Sequence, residues 1–262
     1  MSKLPKENQF LDLSDYGRGA ARWIANSLKS STVTPIQVTI AFIISGLLAI
    51  FAMLNSYFWL AAFFLIFKSI LDAADGELAR IKNTPSYTGR YFDSVADIIL
   101  NLLFILTIRY LTDASYYFAF LAFIGIQLQG TLYNYYYVIL RNKHDGDTTS
   151  RIFEDTTPTA LSGEKQRHVD ILFAMYNFCY RFFDKIIYHL DKTAIHAQIF
   201  PKWFMTIVST FGLGFQLLLI SIFLVLGWVN YIIPFFMLYS VLIVVFIGTR
   251  KFINQIALRK SL

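Results

Sequence analysis

Four aspartates define the chemistry this chain could perform. Asp72 and Asp75 stand three residues apart behind an apolar run, and Asp93 and Asp97 stand four apart where the next apolar run opens. On helices, both spacings put the pair on one face. A short loop between two such helices would gather the four carboxylates where a membrane meets water. Clustered carboxylates repel one another, so protons or cations must be shared among them. Hard divalent cations, which take oxygen ligands, meet that need.

Gly76, Ala79, Arg80 and Gly89 lie between the two acidic pairs. Gly76 opens the backbone to a phosphate or nucleotide, or else marks a kink or a helix–helix contact. Ala79 keeps a helix face small. Arg80 could clamp a pyrophosphate through its forked donors, pair with an aspartate, or serve as a membrane-orienting charge. Gly89 suits a tight turn into the following helix, or a close approach to ligand. Lys68, one turn before Asp72, reads as a snorkelling side chain or as an ion pair with Asp72. Acids near a helix C-terminus oppose its dipole, which sets Asp72 and Asp75 apart from a bland solvated end. Taken alone, Asp93 and Asp97 would be ordinary dipole compensation at a helix N-terminus.

Written as a pattern, these residues are D-x2-D-G-x2-A-R-x8-G-x3-D-x3-D, complete from Asp72 to Asp97. On this motif the chain resembles the CDP-alcohol phosphatidyltransferase family. The resemblance implies a membrane transferase that moves a phosphatidyl or substituted phosphoryl group from a CDP-alcohol, by preference CDP-diacylglycerol, to an alcohol acceptor, releasing CMP. It implies a two-metal site of Mg2+ or Mn2+ held by Asp72, Asp75, Asp93 and Asp97, with Asp97 also the catalytic base. Gly76, Ala79, Arg80 and Gly89 are then the CDP-alcohol-binding positions. The acceptor is a small polar alcohol in one subclass; diacylglycerol takes that place in the CDP-choline and CDP-ethanolamine type. The family further implies a homodimer embedded in membrane lipid, here a bacterial inner membrane. Many relatives carry Pro-Asn before the first span, whereas Thr34-Pro35-Ile36-Gln37 keeps the proline without the asparagine. A cation transporter would use the same acids, but it leaves the two glycines, Ala79 and Arg80 unexplained and favours ligands at mid-membrane.

The elements that must position this motif are membrane helices. The chain has 262 residues, 56% hydrophobic and 18% aromatic, with a mean hydropathy of +0.52. Its apolar runs are long enough to cross a bilayer. The pattern predicts an all-α membrane protein with six spans, near 36–54, 57–80, 92–111, 116–140, 204–228 and 230–249. An interfacial helix is expected within 1–35, from Ala20, Trp23, Ile24 and Leu28, and a cytoplasmic tail over 250–262. The domain proper, 36–249, carries an insertion at 141–203. There Leu172, Phe173, Tyr176, Cys179, Tyr180, Phe183, Ile187 and Leu190 form a helical stripe too charged to span; it should lie on the membrane, pack on the bundle or meet a second subunit.

The net charge of +6 lies mostly in the tails and around the motif, which places both termini and the acids on the cytoplasmic side and makes nucleic acid an unneeded explanation. Lone Cys179 excludes a disulfide framework, and no cleavable leader is expected. Gln127, Gln129 and Asn134, with the tyrosines 133 and 135 to 137, would line an acceptor pocket or bond between helices. Arg90, Arg141 and Arg151 are candidates for an anionic acceptor. Asp145-Gly-Asp147 reads as a polar turn, and the four histidines show no metal-ligand spacing.

Overall fold

The computed structural model describes residues 4–144 and 156–260, so Asp145, Asp147 and Arg151 lie outside the described residues. Ten α-helices are described: α1 (Arg18–Leu28), α2 (Pro35–Leu54), α3 (Phe58–Lys82), α4 (Tyr87–Thr112), α5 (Tyr116–Lys143), α6 (Gln166–Leu190), α7 (Lys202–Val208), α8 (Leu213–Val225), α9 (Ile232–Tyr239) and α10 (Leu242–Lys260). No strand occurs among the described residues.

Local chemistry places the ends. Thr34 and Gln37 cap α2 reciprocally, each side chain accepting from the other's backbone N–H, with Pro35 at the first helical position. Gln37, the residue standing near the missing asparagine, is thus used in the cap. Asn83 ends α3 in the left-handed conformation at φ 51°, a conformation asparagine tolerates well. Ser86 then opens α4, accepting from the Gly89 N–H. The α3–α4 connection is therefore only 83–86, and the two helices run antiparallel.

Three stretches are individually long and apolar enough to cross a membrane: Pro35–Leu54, Tyr87–Thr112 and Val229–Arg259. Lys202–Phe211 with Leu213–Val225 makes a further span only as a pair bent by 56°. The span expected at 204–228 is thus interrupted by a bend rather than continuous. At the bend, Leu13 N–H donates to Ser209 Oγ at 2.8 Å, 196 residues away. A Cβ at Gly214 would run into the Ser14 carbonyl. The 13–15 segment is seated against the break. The 25-residue α3 and the 28-residue α5 have spanning length, but α3 carries Lys68, Asp72 and Asp75 in and just beyond its middle. The protein is an all-α membrane protein.

The helices close on small and polar contacts, as membrane bundles do. A Cβ at Gly46 would sit 2.8 Å from Leu100, so α2 and α4 approach closely there. Gln129 donates to Ser240 at 2.9 Å and accepts from Gln216 at 3.0 Å, joining α5, α8 and the end of α9. Of the two roles open to Gln129, interhelical bonding is the one adopted. Tyr135 and Tyr136 donate to the backbone and side chain of Asp191 at 3.2 and 2.7 Å, so these tyrosines pin the C-terminal end of α6. Asp191 is fully buried and paired with Arg250, itself 2% exposed.

The stripe on α6 packs on the bundle. Phe173 meets Tyr91 of α4 edge-on and Tyr176 meets it tilted, with ring centroids 5.5 and 5.2 Å apart, and Ile187 is fully buried near the end of α5. Leu190 falls outside the buried face, and Val169 joins it. On α1 the side that packs on the bundle is formed by small residues. Ala21 and Ala25 are buried, Ile24 and Leu28 are half-buried, and Trp23 is 72% exposed. Alanine permits the close approach of α1 to α3, and the bulkier tryptophan turns outward.

Candidate active site

The four aspartates sit inside their helices rather than at the ends. Asp75 lies seven residues before the last residue of α3, about 10 Å along the axis at 1.5 Å per residue. α4 begins at Tyr87, five residues earlier than the span predicted at 92–111. That places Asp93 in its second turn and Asp97 in its third. The helix dipole acts within the terminal turn, so it does not account for Asp93 and Asp97. Two carboxylate pairs instead face each other across antiparallel helices, below the bundle rim.

Oxygens of Asp72, Asp75 and Asp93 all lie within 4.8 Å of one another. Each has a different environment. Asp75 is 7% exposed and accepts from the Thr39 hydroxyl of α2 at 2.6 Å. Asp93 Oδ1 is buried and, among the described residues, has no hydrogen-bond partner. Such an orphaned anionic oxygen beside two further carboxylates is a donor set that fits a divalent cation. Asp72 accepts from Lys68 Nζ at 3.2 Å.

Asp97 is engaged differently. Its carboxylate pairs with Lys68 Nζ. That ammonium has no exposed surface and lies 4.5 Å from the Phe42 ring centroid on α2. Lys68 does not snorkel; the expected pair with Asp72 forms, and a second with Asp97 forms beside it. Above the pair, Tyr180 of α6 donates to the Ser94 carbonyl at 2.8 Å, in the turn between Asp93 and Asp97.

The remaining motif residues surround the acids. Arg80 donates to Glu77 Oε2 at 2.7 Å, and Arg22 of α1 reaches Glu77 Oε1 at 3.5 Å. Arg80 thus pairs with a glutamate inside the motif rather than with an aspartate. Its Nε is buried and, among the described residues, without a partner. A Cβ at Gly76 would meet only the Arg80 guanidinium, at 3.6 Å, and no neighbouring helix. Gly76 therefore opens space beside Arg80 rather than permitting a helix contact. Ala79 is half-buried, and its carbonyl receives the N–H of Thr84 at 3.0 Å, closing the end of α3.

Gly89 lies in the first turn of α4 and not in a turn before it. Its N–H is taken by Ser86, and a Cβ there would press Ser86 Oγ at 3.2 Å. The neighbouring free N–H groups belong to Tyr87 and Thr88, and Glu164 accepts both, at 3.2 and 2.7 Å. An acidic side chain from the 156–165 connection therefore fills the positive end of α4. Arg90 lies over the Tyr91 ring at 5.2 Å, and Arg141 is 2% exposed with its guanidinium 5.1 Å from the Tyr137 ring.

Thr39, Lys68 in its bridging role, Glu77, Glu164 and Tyr180 carry no motif signal in the sequence. A helical-wheel reading of α3 would have put Lys68 on the Asp72 face, at spacing four, but its contact with Asp97 depends on how α4 docks.

Residues 32–161, about half of the chain, match the family model described as CDP-alcohol phosphatidyltransferase. Similar curated proteins include a bifunctional IPC transferase and DIPP synthase from Archaeoglobus fulgidus, 38% identical over 95 residues. Another is a CDP-diacylglycerol–serine O-phosphatidyltransferase from Helicobacter pylori, 38% identical over 65 residues. The first alignment covers 36% of this chain and the second 25%. The chain spans 19% and 27% of those two relatives' own lengths. Taken with the matched segment, which contains every motif position from Asp72 to Asp97, this places the chain in the CDP-alcohol phosphatidyltransferase family.

Proposed function

We propose that this protein transfers a phosphatidyl or substituted phosphoryl group from a CDP-alcohol to an alcohol acceptor and releases CMP. The observation that carries this reading is the convergence of Asp72, Asp75 and Asp93 oxygens within 4.8 Å, with one Asp93 oxygen buried and unpartnered. Those three aspartates would hold Mg2+ or Mn2+, and the bound ions would neutralise the pyrophosphate and stabilise departing CMP.

The chain's own groups supply the rest. Arg80, held by Glu77 and flanked by open space at Gly76, is placed to take a phosphate oxygen. The acceptor hydroxyl oxygen attacks the phosphorus distal to cytidine, the bond from that phosphorus to the CMP oxygen breaks, and the hydroxyl proton passes to Asp97. Asp97 is suited to this work because Lys68 fixes its carboxylate, which remains 16% exposed. CDP-diacylglycerol with a small polar acceptor is the preferred pair, in keeping with the name of the Helicobacter relative. The CDP-choline or CDP-ethanolamine type, with diacylglycerol as acceptor, is the second reading. The basic residues at the motif end of the bundle support a cytoplasmic site, and a homodimer is the expected assembly.

The test is CMP release by purified protein in lipid nanodiscs, with a panel of CDP-alcohols and acceptors and lipid products identified by mass spectrometry. CMP should form only with Mg2+ or Mn2+, cease with EDTA, and fall at least about 1,000-fold in Asp97→Asn while donor still binds. CMP release that survives EDTA, or near-normal turnover in Asp97→Asn, would overturn the assignment.

A further inference from the structure

We propose that Lys68 is a built-in cation that divides the four aspartates into a metal-holding set and a separate proton acceptor. The inference rests on the metal reading given above and assigns a positioning role to a residue outside the motif. The Lys68 ammonium has no solvent exposure and touches both Asp72 and Asp97. From α2 the Phe42 ring lies against it, with its centroid at 4.5 Å. A buried ammonium is costly unless paired, and here both its partners are motif acids from two helices. The three aspartate oxygens that converge exclude Asp97, whose carboxylate is turned to Lys68 instead. Lys68 thus supplies one positive charge among four negative ones, and it ties Asp97 away from the place a cation would occupy.

This division has a distinctive consequence. Replacing Lys68 with methionine keeps an unbranched apolar stem beside Phe42 and removes the charge. Asp97 is then free to join Asp72, Asp75 and Asp93 in the ligand set, and the site gains one unit of negative charge. A merely structural lysine would weaken metal binding when removed; a partitioning lysine should strengthen it while activity falls.

The experiment is Mn2+ binding by electron paramagnetic resonance to the full chain in nanodiscs without donor, alongside CMP release. Lys68→Met should bind Mn2+ at least about 10-fold more tightly and lose at least about 100-fold in kcat with donor KM little changed. Adding Asp97→Asn to Lys68→Met should return Mn2+ affinity to within about 3-fold of wild type. Asp97→Asn alone, which keeps Lys68 paired to Asp72, should shift Mn2+ affinity by less than about 3-fold, and it keeps the inference testable if Lys68→Met fails to fold. Unchanged or weaker Mn2+ binding in folded Lys68→Met, or a loss beyond about 10-fold in Asp97→Asn, overturns it. Asp75→Asn serves as control. If that variant binds Mn2+ normally, the metal reading falls and this inference falls with it; if it binds weakly while Lys68→Met is unaltered, only the role of Lys68 is lost.

Discussion

Replacing Thr39 with valine isolates one hydrogen bond at the acidic site. Thr39 lies on α2, is 2% exposed, and its hydroxyl sits 2.6 Å from Asp75 Oδ2 and 3.2 Å from the Pro35 carbonyl. One hydroxyl has one proton, and the shorter, charge-assisted contact takes it. Valine keeps the branched shape and drops the donor. A hydrogen bond to a charged group contributes about 1.5–3 kcal/mol, and each 1.4 kcal/mol is about tenfold in affinity. Loss of a partner that orients a metal ligand commonly costs about 10- to 100-fold, the same range. Thr39→Val should therefore weaken Mn2+ binding by about 10- to 100-fold and lower CMP release in parallel at limiting metal. Mn2+ titration by electron paramagnetic resonance reads the first and nucleotide chromatography the second, with tryptophan-monitored melting to verify the fold. Affinity and rate both within about 3-fold of wild type would refute the argument that Thr39 orients Asp75.

Other expectations follow from the same geometry. Arg250→Met leaves Asp191 charged and buried beside Tyr136, and should cost about 3–5 kcal/mol of stability; a melting temperature in detergent equal to wild type would contradict it. Burial opposes the charge on Glu164, but the backbone N–H and hydroxyl of Thr88, the Ser86 hydroxyl and the Leu161 N–H outweigh it and hold its carboxyl below the usual carboxylate range. A lowered folded value contributes stability above the unfolded pKa of about 4.3 and loses it as pH falls through the folded value. Glu164→Gln should therefore speed hydrogen exchange at Tyr87 and Thr88 at neutral pH by about tenfold, and unchanged exchange would count against the cap. In a Cys179→Ser background, Tyr57→Cys should be labelled from outside intact cells and Lys165→Cys only after permeabilisation; the reverse pattern would invert the topology.

The acids and the apolar helices were legible because both are local patterns: spacings of three and four, and runs long enough for a bilayer. What escaped is information held between elements. The register of α4 is set by the Ser86 cap and by Glu164, 78 residues downstream, so the start of α4, and with it the distance of Asp93 and Asp97 from the helix end, was not legible. Gly89 looked like a turn residue for the same reason. Thr39 is unremarkable within α2, and Lys68 was legible only beside Asp72; their contacts with Asp75 and Asp97 arise when three helices meet. The interfacial reading of α1 named Trp23, Ile24 and Leu28 but not Ala21 and Ala25, because periodicity ranks residues by apolarity, whereas the close approach of α1 to α3 selects for small size.

The seating of residues 13–15 against the broken helix bears on how the protein is made. Ser14 has no place to rest until Gly212 and Gly214 have left the ribosome, close to 200 residues later. At about 5–20 residues per second that is a delay of roughly 10–40 s. Throughout it α1, which follows directly and brings Arg22 to Glu77, lacks the anchor that precedes it. Residues 13–15 are therefore seated only after most of the chain that follows them has been made, and with them the anchor of α1, one wall of the acidic site.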